Sequence, residues 1–464
     1  MGVMDEVIKN LLETKYEALP TDVIEATRKQ ILDTLAVTIG GSTCSVSDEM
    51  NGLVDLIKEW GGKEESTIVA FGGKVPAPNA AYVNGILSVR LDFDDTYVTS
   101  IKNHTSRAIV PTAFAMAERK GGIDGKELIT AVALGHDLAC RLKEAIGKPI
   151  DSPLGFVTNF LGAAATAGRI LGLNDEKLRY ALGIAYHQIS GLTSVGGTAG
   201  AGATLKGVST GSAAKAGILS ALLSERGFDS GLELLEPSNK RNFYDVVYSG
   251  NYWPWLLTSD MGSVFAGIKT AQKEYPCCHG QHTAIKATLG LLKENKFEPD
   301  DVEEVVLRLS PFNYFLLGTP LEKKQDPQNI IETQFSLCWG VASAIVYGEV
   351  GIKNFSGEAL RNESIRKLAR KIFPRLETKF EMIGFEPSIV EIKTRDGKVY
   401  TNQVDYPFGS PENPMDLADI AVKFRHCCEY SVKPVPIENQ DKVIKMVEEL
   451  EGVNDVSGII NMLG

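Results

Sequence analysis

At 464 residues, with 44% hydrophobic and 23% charged residues, the chain has the composition of a folded globular protein with room for two or three domains. The formal charge of −11 and the lack of a basic run exclude nucleic acid as a partner, because that affinity comes from neutralised phosphates. No run of about 20 apolar residues appears, so no membrane-spanning helix is expected.

The start, Met1-Gly-Val-Met-Asp-Glu6, carries neither the basic nor the apolar stretch of a secretory leader. The first 230 or so residues then read as successive helices. Asp22 to Ile39 places Ile24, Ile31, Leu35 and Ile39 near one face. Apolar helical stretches run from Ala80 to Leu91 and from Ala108 to Glu118. Asp124 with Glu127 predicts a capped start for a helix carrying Leu128, Val132, Leu138 and Leu142. Asn174 predicts another, carrying Leu178, Ala181, Leu182 and Ile189. The small-residue runs Gly162–Gly168 and Gly211–Gly217 predict helices that pack closely in the centre of a helical domain.

The pattern changes after about residue 265. Val305–Leu309 reads as a strand, and Ile389–Thr394 and Lys398–Thr401 flank Asp396-Gly397, a hairpin signal. Helices are expected over Ile330–Tyr347 and Ser364–Phe373, and helical pattern returns from Asp416. The expected fold is mainly α with an inserted α+β domain. A large all-helical domain (1–268) is completed by 409–464, and a smaller α+β lid (269–408) sits between. The cleft between two such units is a favoured place for a small ligand.

Three polar clusters stand out. Asp92, Asp94 and Asp95 fall within four positions, with Thr96 and His104 close behind, between two apolar helical stretches. Such a knot must be satisfied internally, as helix caps are, or bind something. Gly191–Gly217 is rich in glycine and carries Lys206, but it lacks a phosphate-loop ending. With a helix start expected at Ser209–Ser212, exposed amides beside Lys206 suit a carboxylate, and a solvated lysine in a loop is the alternative. Lys273-Glu-Tyr-Pro-Cys-Cys-His-Gly-Gln-His282 holds metal-ligand residue types without a matching second half, so buried free cysteines are expected rather than a metal. The seven cysteines, with adjacent pairs at 277–278 and 427–428, fit no disulfide framework; a reduced, cytoplasmic protein is expected.

Taken in order, these stretches resemble the MmgE/PrpD family. The matching segments are Leu91-Asp-Phe-Asp-Asp-Thr96 with His104-Thr-Ser106 and Val110-Pro111, Gly125–Gly135, Lys206 through Gly211–Gly217, Lys273–Cys278 with His282, Gln334–Leu337, and Asn413-Pro414 with Lys423-Phe424. The resemblance covers nearly the whole chain. It implies a homodimer with a cleft for a small anionic carboxylate, using no metal and no organic cofactor. It also implies lyase chemistry on a di- or tricarboxylic acid, as in 2-methylcitrate dehydratases. Decarboxylation or epimerisation of a related acid is the alternative, and a non-catalytic carboxylate-binding protein is the reading outside enzymes. Carried over, His104, Lys206, Asp92 and Lys273 are expected to be catalytic, and Thr96, His282 and Tyr314 to bind substrate. Pro153 stands where many members carry His, and the link from Asp95 to His104 is about two residues longer than in the decarboxylases. Both departures imply a changed substrate or reaction.

Overall fold

The computed structural model describes residues 2–44, 48–99, 102–146, 156–190, 205–380 and 387–464, the side chains of 205 and 206 excepted. Pro153, and everything of Lys206 beyond its helical backbone, lie outside the described residues. The described residues are mainly helical, with one four-stranded mixed sheet and two short two-stranded ones. No described helix is long and apolar enough to cross a membrane.

Six helices form the centre of the larger core: α1 (Thr21–Gly40), α2 (Ala77–Val89), α3 (Ser106–Lys120), α4 (Gly125–Glu144), α5 (Thr158–Leu171) and α6 (Leu205–Glu225). Asp124 caps α4 by accepting the Glu127 N–H at 2.8 Å, as the capping pattern predicts. The small residues do what their positions suggest. A Cβ on Gly211 of α6 would lie 2.5 Å from the Tyr82 carbonyl of α2, and one on Gly217 would lie 2.6 Å from the Ala163 backbone of α5. The helices approach to backbone contact there. Helix α6 begins at Leu205, not at Ser209–Ser212 as expected, so the Gly207–Gly211 stretch is helical and Lys206 lies in the first turn. Gly207, expected in the turn, serves helix contact instead: a Cβ there would lie 2.8 Å from the Ile86 side chain of α2.

A second apolar core spans Tyr275 to Val390 and Ile392, around the fully buried Trp339. Before it, the two-residue strands β1 (Thr96–Tyr97) and β2 (Thr270–Ala271) pair antiparallel. Its sheet has four strands, β3 (Val302–Leu309), β4 (Ile372–Leu376), β5 (Ser388–Thr394) and β6 (Val399–Val404), in the order β4-β3-β5-β6. The β5–β6 hairpin turns at the expected Asp396-Gly397, where Gly397 has φ +85°. Two expectations fail here. Ile330–Tyr347 is not one helix: it breaks between α7 (Ile330–Gln334) and the helix Leu337–Tyr347, because Ser336 caps the latter through the Trp339 N–H. Ile372-Phe373 belong to β4, parallel to β3, and not to the preceding helix, which ends at Ala369. Pro374 is tolerated because β4 is an edge strand. Helix α8 (Leu417–Cys428), after the second core, returns to pack on α1, and its Ile420, Phe424 and Cys427 join the first core.

Candidate active site

The knot at 92–104 lies where the two cores meet. Helix α2 ends at Val89, and Arg90 ties that end to the C-terminal end of α1 by donating to the Gly41 and Thr43 carbonyls at 2.7 and 2.8 Å. Asp92 takes a left-handed backbone conformation, φ +51°, which short polar residues tolerate at some cost. Strand β1 follows at once. Its pairing of Thr96 with Ala271 carries the chain that leads to Lys273 alongside the aspartates. A register set by two residues therefore joins side chains about 180 positions apart.

Three carbonyls of the knot are each held by a side chain. Lys273 Nζ donates to the Asp92 carbonyl at 2.6 Å and lies 3.5 Å from Asp92 Oδ2. Lys423 Nζ, from α8, donates to the Phe93 carbonyl at 2.9 Å and to Asp33 Oδ1 of α1 at 2.6 Å. His104 Nδ1 lies 2.6 Å from the Asp95 carbonyl. A carbonyl only accepts, so Nδ1 carries the proton and Nε2 presents its lone pair. Asp94 Oδ2 stands 3.2 Å from the same Nδ1 and 3.0 Å from Arg107 Nη1, while Thr96 Oγ1 is 3.5 Å from it. Phe156 packs edge-on to the His104 ring, with centroids 5.2 Å apart, and lies under the Arg107 guanidinium. Asn159 of α5 donates to the His104 carbonyl at 2.7 Å, fixing the segment from the other side.

Four carboxyls, Asp33, Asp92, Asp94 and Asp95, thus share a buried space with Lys273, Lys423 and Arg107. The excess carboxyl is Asp95. Burial first, then the Asp33 charge, push it up to about 8 against the Ser106 hydrogen bond, so it holds its proton at neutral pH. Burial also pushes Asp94 up, but Arg107, Lys273 and His104 outweigh it and hold Asp94 well below the usual carboxylate range. Burial pulls the Lys273 ammonium down, and Asp92 and Asp94 more than restore it, so it stays charged. Burial lowers His104 despite the pull of Asp94, so the ring is neutral near pH 7. The result is a fixed ammonium beside an imidazole with an available lone pair, in a space largely closed to water. That combination suits proton exchange at a carbon next to a carboxylate.

Of the expected site residues, Asp92, Thr96, His104 and Lys273 come together. His282 starts the helix His282–Glu294 and is buried within electrostatic reach of Lys273. Tyr314 does not join them by any described contact: it packs edge-on to Phe315 and against the second core. Sequence reasoning missed Arg107, Asp33, Phe156 and the role of Asp94. Two signals were available, since Asp33 is the one carboxylate in the apolar stretch Ile31–Ile39 and Arg107 follows His104 by three residues. Among the described residues, no group of three His, Cys, Asp or Glu side chains is arranged to hold a metal ion.

The MmgE/PrpD N-terminal domain matches residues 8–256, and the MmgE/PrpD C-terminal domain matches residues 275–450. The chain belongs to the MmgE/PrpD family. It is similar to cis-aconitate decarboxylase of Mus musculus, at 25% identity over 97% of this chain and 91% of that protein. It is also similar to cis-aconitate decarboxylase of Homo sapiens (25%, 97% and 92%) and of Aspergillus terreus (26%, 100% and 96%). The chain is an enzyme of this family. Its described cysteines are unbridged.

Proposed function

We propose that the chain is a lyase that removes carbon dioxide from a small tricarboxylic acid, with Lys273, Asp92, Thr96 and His104 as its working centre. The carrying observation is that Lys273 and His104 both bond carbonyls of the segment Asp92–Asp95, with Asp94 and the Asp95 carbonyl fixing the imidazole tautomer. Loss of carbon dioxide is favoured over loss of water because the similar curated proteins are decarboxylases. In such a step the bond to the departing carboxylate breaks. Its electron pair moves into the carbon skeleton, and a skeletal carbon takes a proton. Lys273 neutralises a carboxylate that stays behind, so charge accumulates nearby without repulsion. His104 first takes a solvent proton on Nε2 and then passes it to the skeletal carbon, and Asp94 stabilises the imidazolium that carries it. Thr96 binds a substrate oxygen, and His282 faces a substrate carboxylate; Lys206, in the first turn of α6, is proposed to bind another. Helices 1–268 and 409–464 form the body, and 269–408 closes over it to exclude water. A homodimer in the cytoplasm is proposed on the family resemblance and on the unbridged cysteines.

The test is an NMR-monitored incubation of the protein with cis-aconitate, citrate, 2-methylcitrate and iminodisuccinate in D₂O. Carbon dioxide release from a tricarboxylate supports the proposal. Elimination of water alone, or deuterium exchange with no net product, replaces it with a dehydratase or an epimerase.

A further inference from the structure

Each cation of the knot already faces a carboxylate: Lys273 lies by Asp92, Lys423 by Asp33 and Arg107 by Asp94. The whole chain carries a formal charge of −11. A polyanionic substrate thus approaches a repelling surface and needs a charge that those pairs do not cancel. Lys102 meets that need. Its place is fixed by Asn103, whose backbone pairs with Tyr97 of β1, the Tyr97 N–H donating to the Asn103 carbonyl at 2.8 Å. The Asn103 amide turns into the helical body, donating to Thr158 Oγ1 of α5 at 3.0 Å and to the Ala139 carbonyl of α4 at 3.3 Å. Side chains alternate along an extended chain, so Lys102 and His104 both face the other way, toward the second core. The contacts agree. Lys102 Nζ lies 4.1 Å from the centre of the Phe312 ring. Phe312 sits in the turn Pro311–Asn313, and Asn313 Nδ2 donates to the Gly280 carbonyl at 3.0 Å, beside His279. Burial first, then His282, Lys273, Lys102 and His104, hold His279 well below the usual histidine range. One imidazole therefore feels Lys102 together with both proposed working groups. Lys273 and His279 are buried, whereas Lys102 and Phe312 are half-buried, so Lys102 stands between solvent and site. Among the described residues no carboxylate pairs with Lys102, and the Phe312 ring is its neighbour.

We infer that Lys102, held over Phe312 at the mouth of the site, is a specificity-determining cation that draws in polycarboxylates and favours the more highly charged one. This role rests on the substrate class proposed above and adds the residue that selects within it by charge. Attraction between a fixed ammonium and a ligand scales with the ligand's charge, so a trianion gains more than a dianion. The ring keeps the ammonium in place without cancelling its charge, as a carboxylate partner would. The flexible stem, rooted beside the fixed Asn103 backbone, lets the ammonium turn from the ring to an arriving carboxylate. Partial exposure also makes its attraction sensitive to salt, unlike that of the buried Lys273.

Calorimetric titration of the full chain with tricarballylate, an inert tricarboxylate, and with glutarate, which lacks its central carboxylate, tests this at low and high ionic strength. At low salt Lys102→Met is expected to weaken tricarballylate about tenfold, and the charge reversal Lys102→Glu to weaken it further. Lys102→Arg keeps the charge and stacks on a ring, and is expected to stay within about threefold of the unaltered protein. At about 0.5 M salt the Lys102→Met loss is expected to shrink below about threefold, because a half-exposed charge is screened. The preference for tricarballylate over glutarate is expected to narrow in Lys102→Met at low salt. Unchanged tricarballylate affinity in Lys102→Met, or an unchanged preference, overturns the role of Lys102 and leaves the substrate class standing. A loss that ignores salt, or that Lys102→Arg shares, also overturns it, because that pattern marks a structural role. If the unaltered protein binds neither acid, the proposed substrate class falls first, and the role of Lys102 with it.

Discussion

His104 and Asp95 carry the sharpest consequences at the scale of single residues. If His104 exchanges the substrate proton, His104→Ala lowers kcat by roughly 10² to 10⁴ while the protein stays folded. Burial lowers the His104 pKa, so its neutral form persists below the usual histidine value. As the proton donor His104 acts in its charged form, so kcat/KM in the unaltered enzyme is expected to fall with rising pH along a basic limb set below pH 6.5, and a basic limb above that value contradicts the assignment. Asp95 makes a separate prediction for stability. Its folded pKa, about 8, lies above the ordinary aspartate value. Its contribution to stability is therefore fully present below the unfolded pKa and is lost as pH rises through about 8. Asp95→Asn removes this term, so its melting temperature relative to the unaltered protein should rise between pH 5 and pH 8.5. A constant difference across that range shows that Asp95 does not titrate as assigned. The sequence displayed the three aspartates as a block and could not separate their roles. Asp92, Asp94 and Asp95 differ only in which cation or hydroxyl the fold brings to each, and Lys273, Arg107, Lys423 and Ser106 come from separate elements.

Elements with a strong local signal were legible. The Asp124 and Asn174 caps, the Asp396-Gly397 hairpin and the close-packed small residues follow from side-chain chemistry within a few positions. Elements decided by distant partners were not. Strand β4 exists because β3 offers it a parallel edge, and the start of α6 at Leu205 depends on α2 accepting glycine at close range. The latter gives a test. In Gly211→Ala the new methyl meets the Tyr82 carbonyl at 2.5 Å, a backbone atom that cannot swing aside. Overpacking of this kind costs about 1–3 kcal/mol, so chemical denaturation should show a lower midpoint with an unchanged m-value. An unaltered midpoint means that α2 and α6 are not held at this distance.

Across the whole molecule, the site is the joint between two apolar cores. Helix α1 supplies Asp33 and helix α8 supplies Lys423, whose ammonium bridges Asp33 Oδ1 and the Phe93 carbonyl. Lys423→Ala leaves Asp33 buried without its cation, and breaking such a pair costs about 3–5 kcal/mol. Thermal unfolding should show the loss directly, and a shift of less than about 2 °C would mean that the pair is not what ties the C-terminus to the site. This joint explains why a site spread over residues 33 to 423 was visible only in part from the sequence: composition marks its polar residues, and topology alone assembles them.

The most direct measurement is deuterium incorporation during turnover of cis-aconitate in D₂O, followed by NMR for the unaltered enzyme and His104→Ala. The account predicts carbon dioxide release with one solvent deuteron fixed on the product carbon skeleton, and a His104→Ala rate lower by roughly 10² to 10⁴. Full-rate turnover by His104→Ala, or saturable binding of tricarboxylates with no carbon dioxide released, would contradict it.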